Sequence, residues 1–175
     1  MLLALSTVSR VSEINSISFQ SIKITPESAI FFLSSLRKAQ KSGSLQSCTL
    51  PRFSGLCCPV DCLESYIRVT ENLRGNQTSS LFISVRKPHE PVGSSSLGRW
   101  IKACMTDADL DPATFSAHST RGAAASKAVK QGVPIESVLH AANWSRESTF
   151  RKFYHRDLIN FPVAEAVLTQ QTSLD

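Results

Sequence analysis

The sequence lacks an apolar run long enough to cross a membrane. Its apolar start, Met1 to Leu5, is short and is followed almost at once by Arg10, whereas a membrane-spanning helix needs about 20 apolar residues. A secretory signal peptide is not recognisable either. We therefore expect a soluble, intracellular protein with no membrane partner.

A complete set of zinc ligands is also missing. The five cysteines are an odd number, and Cys57, Cys58 and Cys62 lie together without a second cluster that would complete a tetrahedral site. In a reducing compartment, free cysteine behaves as a small buried hydrophobe. We therefore predict reduced cysteines that serve as packing residues, and no metal site.

Two further absences concern phosphate chemistry. The sequence has no P-loop for a nucleotide and no carboxylate cluster for a pair of magnesium ions, so we expect neither a nucleotide nor another cofactor. The composition is otherwise that of a globular domain, with 42% hydrophobic and 19% charged residues in a chain of 175. The net charge of +5 favours a polyanionic partner, although this signal is weak by itself.

The segment from Ala117 to Arg156 contains the residues best suited to phosphate chemistry. His118 and Arg121 are three positions apart, and residues from Ser119 to Gly132 include four alanines and no proline, which predicts a helix. Residues three apart share a helix face, so both side chains should point at the same group. That group should be anionic, because the arginine fork suits two phosphate oxygens.

A second short helix is predicted from Pro134 to Ala142, with proline in its first turn, and Trp144 and Tyr154 follow it. Each residue has a plain structural interpretation when taken singly. Trp144 suits a core anchor, Tyr154 an amphipathic packing position and His118 a buried imidazole. The order of these residue types along the chain is what argues for a shared function.

This order, H-x-x-R followed by tryptophan and then tyrosine, resembles the C-terminal catalytic motif of the tyrosine recombinases. Within that superfamily, the phrases HSTRGAAASKA, AANWSRESTFRKFYHR and LFISVRKPHEPV are most similar to recombinases of DIRS-type and Ngaro-type mobile elements. The phrase from Ser9 to Ile14 matches the one that contains the first catalytic arginine of the superfamily. Arg10 is thus its counterpart, and Glu13 is the counterpart of the acid that accompanies it.

A basic hairpin extends the resemblance. Strands are predicted within residues 17–24, at Ser28 to Ser34 and at Leu45 to Leu50, with a basic turn between the last two. Members of the superfamily hold an essential lysine on such a hairpin, and Lys38 matches it best, followed by Lys41. Otherwise this turn is simply a solvated loop.

The resemblance implies roles for particular residues. The implied catalytic residues are Arg10, Lys38, His118, Arg121, Trp144 and Tyr154, and the implied DNA-backbone contacts are Lys41, Arg86, Lys87 and Arg151. Tyr154 would attack the phosphate, with His118 as general base or proton shuttle and Lys38 as general acid. The resulting 3′-phosphotyrosine bond keeps the energy of the phosphodiester, so rejoining would need neither ATP nor a metal ion.

The resemblance covers roughly residues 2–157 and implies a mainly α fold with a small antiparallel β-sheet, the catalytic-domain fold of tyrosine recombinases. We expect one catalytic domain over residues 1–157 and a C-terminal tail over residues 158–175. Superfamily members also have an N-terminal helical domain that closes around DNA, and none is recognisable here, so we expect a truncated protein. The expected partners are double-stranded DNA and other recombinase protomers on DNA, in the nucleus.

Three functions therefore compete. The leading hypothesis is DNA cleavage and rejoining in the recombination or integration of a mobile element such as a retrotransposon. The second is a non-catalytic DNA-binding relic or domesticated fragment, in which basic residues only contact the phosphate backbone. The third is a helical protein-interaction domain with an incidental basic face. Convergence of the six implied catalytic side chains on one basic concavity would favour the first.

Overall fold

The computed structural model describes residues 1–33, 47–75 and 78–154. In these ranges the helices are α1 Leu2–Thr7, α2 Val11–Asn15, α3 Pro59–Thr70, α4 Ser94–Thr106, α5 Ser119–Lys130, α6 Ile135–Ala142 and α7 Glu147–Phe153. The strands are β1 Lys23–Ile24, β2 Ser28–Phe32 and β3 Ser47–Pro51, which form an antiparallel sheet in the order β1-β2-β3. The predicted combination of many helices with a small antiparallel sheet is confirmed.

The N-terminal helical run is interrupted. The apolar spacing over residues 2–14 suggests one helix, but Val8 takes a left-handed conformation with φ of 52° and ends α1. Arg10 then becomes the N-cap of α2. Its backbone N–H donates to Glu13 Oε2 at 2.7 Å, and its guanidinium donates to Oε1 of the same carboxylate at 2.6 Å. The interruption therefore fixes Arg10 at the start of a new helix, with a buried carboxylate as its partner.

The sheet is smaller than the sequence suggests. Residues Phe19–Ser21 form a 3₁₀ turn, so the first predicted strand is reduced to the two residues of β1. In the β2 and β3 pair, Ala29 lies opposite Leu50, and both are buried. Alternate residues of β2 face the core, as the two-residue period of a strand requires.

Two apolar clusters form the core. The larger one joins the N-terminal helices, the sheet, α3 and α4, with Phe31, Leu63 and Ile101 among its buried members. The second cluster lies under α5, α6 and α7 and consists of Val8, Ala125, Val138, Ala142, Trp144 and Phe150. Val8 is thus buried against α5 and its neighbours, which offsets the strain of a β-branched residue at positive φ.

The prediction that the cysteines serve as packing residues is wrong for Cys57, Cys62 and Cys104, which are exposed. Of the five, only Cys58 is buried, because it precedes the first turn of α3 and faces the larger cluster. Cys62 belongs to the same helix but lies off its buried face, next to the buried Leu63. All five are free thiols. None of the described helices is long and apolar enough to span a bilayer.

Candidate active site

Five of the six residues that the resemblance marks as catalytic lie at the ends of helices. Arg10 caps α2, His118 caps α5, Arg121 is in the first turn of α5, Trp144 follows α6 and Tyr154 ends α7. The sixth, Lys38, lies outside the described residues, as does Lys41.

A hydrogen bond joins the side chains of His118 and Tyr154. Nε2 of the imidazole is 3.1 Å from the phenol oxygen, and the two ring centroids are 5.6 Å apart. When the imidazole is neutral with its proton on Nδ1, Nε2 accepts the hydrogen bond and the phenol donates it. This is the arrangement that a base and a tyrosine nucleophile require.

The surroundings of His118 favour its neutral form. Partial burial of the ring lowers the pKa of His118 most, and the positive charges of Arg121 and Arg10 lower it further. The carboxylate of Glu13 acts in the opposite direction. Arg10 and Glu13, at the start of α2, thus act on the same imidazole as Arg121 of α5.

Arg121 is completely buried, with 0% of its surface exposed. Its guanidinium carbon lies 4.7 Å from the centre of the Trp144 ring and 5.7 Å from that of the Tyr154 ring. Its Nη2 donates to the carbonyl oxygen of Ala142, at the end of α6. In this conformation the guanidinium has no exposed surface for an anion to touch, so contact with a phosphate requires its surroundings, which include the two rings, to rearrange.

The C-terminal end of α6 places Trp144 over Arg121. Asn143 takes a left-handed conformation with φ of 51°, which ends the helix in the way that asparagine commonly does. The N–H of Trp144 then donates to the Leu139 carbonyl at 2.9 Å. The Trp144 ring stacks on Tyr154 with centroids 4.4 Å apart and contacts Phe150 at 5.5 Å. Trp144 is therefore both a core residue and a wall of the candidate site.

Two small residues of α5, which sequence reasoning did not single out, contact the Tyr154 backbone. Ser126 Oγ donates to the Tyr154 carbonyl at 2.9 Å. The backbone of Gly122 faces the same carbonyl so closely that a Cβ added there would lie 3.4 Å from it. The signal in the sequence is the run of small residues after Arg121, GAAAS, which permits close approach of another segment to the helix.

The remaining residues that the resemblance assigns to DNA-backbone contacts are exposed, and they lie on a loop and on α7. Arg86 and Lys87 belong to the exposed loop between Ile83 and Pro91, which are joined by an isolated β-bridge. Arg151 is on α7 and pairs with Glu147 at 2.6 Å. These three exposed cations are therefore available to a large anionic ligand.

Comparison with known proteins supplies a family match. A family model described as "Phage integrase family" matches residues 1–158, while no curated protein matches the chain. Among solved structures, XerA recombinase is similar with a TM-score of 0.66 and 17% identity over 88% of this chain. XerH site-specific recombinase, in a post-cleavage complex with palindromic difH substrate, is similar with a TM-score of 0.67 and 14% identity over 95% of this chain.

A lambda integrase dimer bound to a COC′ core site is a further similar structure, with a TM-score of 0.54 and 18% identity over 91% of this chain. The present chain spans 51% of the XerA chain and 43% of each of the other two. At these identities the likeness shows the fold, and it confirms the catalytic-domain fold that the sequence motifs imply.

Proposed function

The chain belongs to the phage integrase family, and from that premise we propose that it cleaves and rejoins DNA through a covalent bond between Tyr154 and a 3′ phosphate. The observation that supports this most directly is the 3.1 Å contact between the phenol oxygen and Nε2 of His118. A phenol needs a base to become a nucleophile at neutral pH, and the lowered pKa of His118 favours the unprotonated form of that base.

In the proposed reaction, the Tyr154 oxygen attacks the phosphorus of the scissile phosphodiester. A bond forms between phosphorus and the phenol oxygen, the bond to the 5′ oxygen breaks, and the phenol proton passes to His118. The departing 5′ oxygen takes a proton from a general acid, for which Lys38 is proposed ahead of Lys41. Attack by a 5′ hydroxyl on the phosphotyrosine reverses these steps and rejoins the strand.

Arg10 and Arg121 are proposed to stabilise the additional negative charge of the transition state. Preorganised donors of this kind typically contribute about 3–4 kcal/mol each. Arg10 is half-buried and oriented by Glu13, so it is ready to meet an oxygen of the phosphate. Arg121 has no exposed surface, so it can do so only after its surroundings rearrange.

The biological setting is proposed on the resemblance alone. Residues 1–157 would be the catalytic domain and residues 158–175 a tail, in a recombinase or integrase of a DIRS-type or Ngaro-type mobile element. Such an enzyme would act on double-stranded DNA, together with other protomers, in the nucleus. Lys41, Arg86, Lys87 and Arg151 would contact the DNA backbone.

An adduct-trapping gel tests the proposed chemistry. The substrate is a pool of labelled duplexes with random core sequences and a nick beside each candidate scissile phosphate, so that the cleaved strand diffuses away and the phosphotyrosine accumulates. We expect a protein–DNA adduct with the unmodified chain and none with Tyr154→Phe or Arg121→Ala. The sequence has two tyrosines, so Tyr66→Phe is the matched control. An adduct that persists in Tyr154→Phe rules out Tyr154 as the nucleophile.

The complete burial of Arg121 favours a second candidate function, that of a DNA-binding relic without catalysis. In that case the site stays closed, and exposed cations such as Arg86 and Lys87 bind the phosphate backbone. The gel would then show no adduct with any duplex, while DNA binding would still fall steeply with salt. Binding that is absent even at low salt would instead favour a protein-interaction domain.

A further inference from the structure

The Tyr154 backbone rests on one face of helix α5. Ser126 Oγ donates to the Tyr154 carbonyl at 2.9 Å, across 28 positions of the chain. Ser126 itself is almost fully buried, with 3% of its surface exposed. A buried hydroxyl that serves a carbonyl on another element fixes the distance between the two elements.

Gly122, one turn earlier on α5, lets the same segment approach the helix. A Cβ at this position would lie 3.4 Å from the Tyr154 carbonyl oxygen, 3.6 Å from Cδ1 of its ring and 3.7 Å from its Cα. Glycine is unfavourable inside a helix because of the backbone entropy that it loses. At Gly122 the absence of a Cβ leaves this side of α5 open to the Tyr154 carbonyl, ring and Cα.

With its backbone held in this way, Tyr154 lies over Arg121. Its ring stacks on Trp144 at 4.4 Å, and the ring centre is 5.7 Å from the guanidinium carbon. Arg121 has no exposed surface in this arrangement. The Tyr154 ring is therefore one of the groups that separate the arginine from solvent, together with the Trp144 ring at 4.7 Å.

We infer that Gly122 and Ser126 are positioning residues that form a seat for the Tyr154 backbone, and that this seat holds the site in a closed form in which the nucleophile covers its own phosphate-binding arginine. Opening breaks the hydrogen bond between Ser126 and the Tyr154 carbonyl and lifts the ring from Arg121. The catalytic meaning of the seat rests on the proposed function. The closed form and its dependence on Ser126 can be measured without DNA.

Phenylglyoxal modification of the full chain without DNA tests the inference. Mass spectrometry gives the rate of modification at Arg121 relative to that at Arg74. Arg74 is a partly buried arginine next to Phe19, so its rate of modification reports a general loosening of the fold. Ser126→Ala should raise this ratio about fivefold, the effect of losing one ordinary hydrogen bond on an equilibrium. Ser126→Thr, which keeps a hydroxyl, should restore the low ratio.

Two matched controls separate the seat from general helix effects. Ser137→Ala removes an exposed serine from the neighbouring helix α6 and should leave the ratio unchanged. Gly122→Ala places a methyl group 3.4 Å from the Tyr154 carbonyl oxygen, at the short end of ordinary van der Waals contact, and should raise the ratio by less than Ser126→Ala does. Gly98→Ala should not, because a Cβ there meets only Ala117 at 3.9 Å, an ordinary contact.

The inference is overturned if Arg121 of the unmodified chain reacts as fast as the exposed Arg86, or if Ser126→Ala leaves the ratio unchanged. It is also overturned if Ser126→Thr gives the same high ratio as Ser126→Ala, since the hydroxyl would then have no role. A raised ratio in Ser126→Ala with no adduct on any duplex would sustain the seat and refute the proposed cleavage. An adduct with the unmodified chain, together with an unchanged ratio in Ser126→Ala, would support the proposed cleavage and refute the seat.

Discussion

At the scale of single residues, the charge state of His118 decides whether Tyr154 can lose its proton. Burial and two neighbouring arginines lower the pKa of His118 from its ordinary 6.5. We predict that an NMR titration of the His118 ring has its midpoint below pH 6.5. Because the neutral imidazole is the proposed base, the rate of adduct formation should be constant at neutral pH and should fall as the pH drops through that midpoint.

The neighbours of His118 give this prediction its control. Glu13 raises the pKa of His118 and Arg10 lowers it, so Glu13→Gln should move the titration midpoint down and Arg10→Gln should move it up. A His118→Gln variant identifies the signal among the four histidines of the chain. A midpoint at or above pH 6.5 in the unmodified chain would contradict the assignment of a neutral base.

The identities of the candidate site residues follow from the order of motifs in the sequence, but their burial does not. The spacing of His118 and Arg121 predicts a common helix face, and the structure places both near Tyr154. The cover over Arg121 depends on contacts of α5 with Ala142 and Tyr154, which are far away in the chain. Helical spacing contains no information on such contacts.

At the scale of elements, apolar spacing predicts the helices that pack by one face. The predicted limits of α5 and α6 agree with the structure to within a few residues. Apolar spacing also predicts helices at Val60 to Leu73 and Leu97 to Met105. The structure has α4 at the second position, and at the first it has α3, which ends early and is followed by the 3₁₀ turn Glu71–Leu73. The interruption at Val8 was not foreseen. It arises because burial of Val8 in the second cluster outweighs the local preference for continuing the helix, a tertiary effect that periodicity cannot show.

Arg74 shows the same limitation in a polar segment. The sequence marks residues 74–80 only as a polar linker, yet the Arg74 guanidinium donates to the carbonyls of Ser80 at 2.9 Å and Leu81 at 2.6 Å, and to Thr70 Oγ1 at 3.0 Å. It also lies 4.1 Å from the centre of the Phe19 ring. The arginine thus joins the end of α3 to the segment that follows and to the 3₁₀ turn at Phe19.

We predict that Arg74→Ala lowers the free energy of unfolding by about 3 kcal/mol, because hydrogen bonds to a charged group and a cation–π contact are lost together and two carbonyls lose their donor. Urea denaturation followed by circular dichroism measures this. Arg68→Ala, at an exposed position of α3, is the matched control and should change the free energy by less than about 0.5 kcal/mol. Equal effects of the two substitutions would show that Arg74 does not join these elements.

At the scale of the whole molecule, the contribution of the net charge of +5 to binding a polyanion depends on which cationic side chains are exposed. Arg86 and Lys87 are exposed on the loop before Pro91. Arg151 is also exposed, but it forms an ion pair with Glu147, one turn earlier on α7. The three are therefore expected to differ in what they contribute to binding a phosphate backbone, although they look equivalent in the sequence.

We predict that Arg86→Ala and Lys87→Ala each reduce the slope of log K against log salt concentration by about 1 for binding to duplex DNA. The reason is that the phosphate which each side chain would neutralise keeps its counterion in the variant. Arg151→Ala should reduce the slope by less, since Glu147 already neutralises part of its charge, and Glu147→Gln should increase both affinity and slope. Fluorescence anisotropy with a labelled duplex, over a series of salt concentrations, measures the affinity and the salt slope of all four variants.

Unchanged slopes in Arg86→Ala and Lys87→Ala would exclude their loop from the DNA interface. A larger reduction of the slope in Arg151→Ala than in these two variants would place the interface on α7, beside Tyr154.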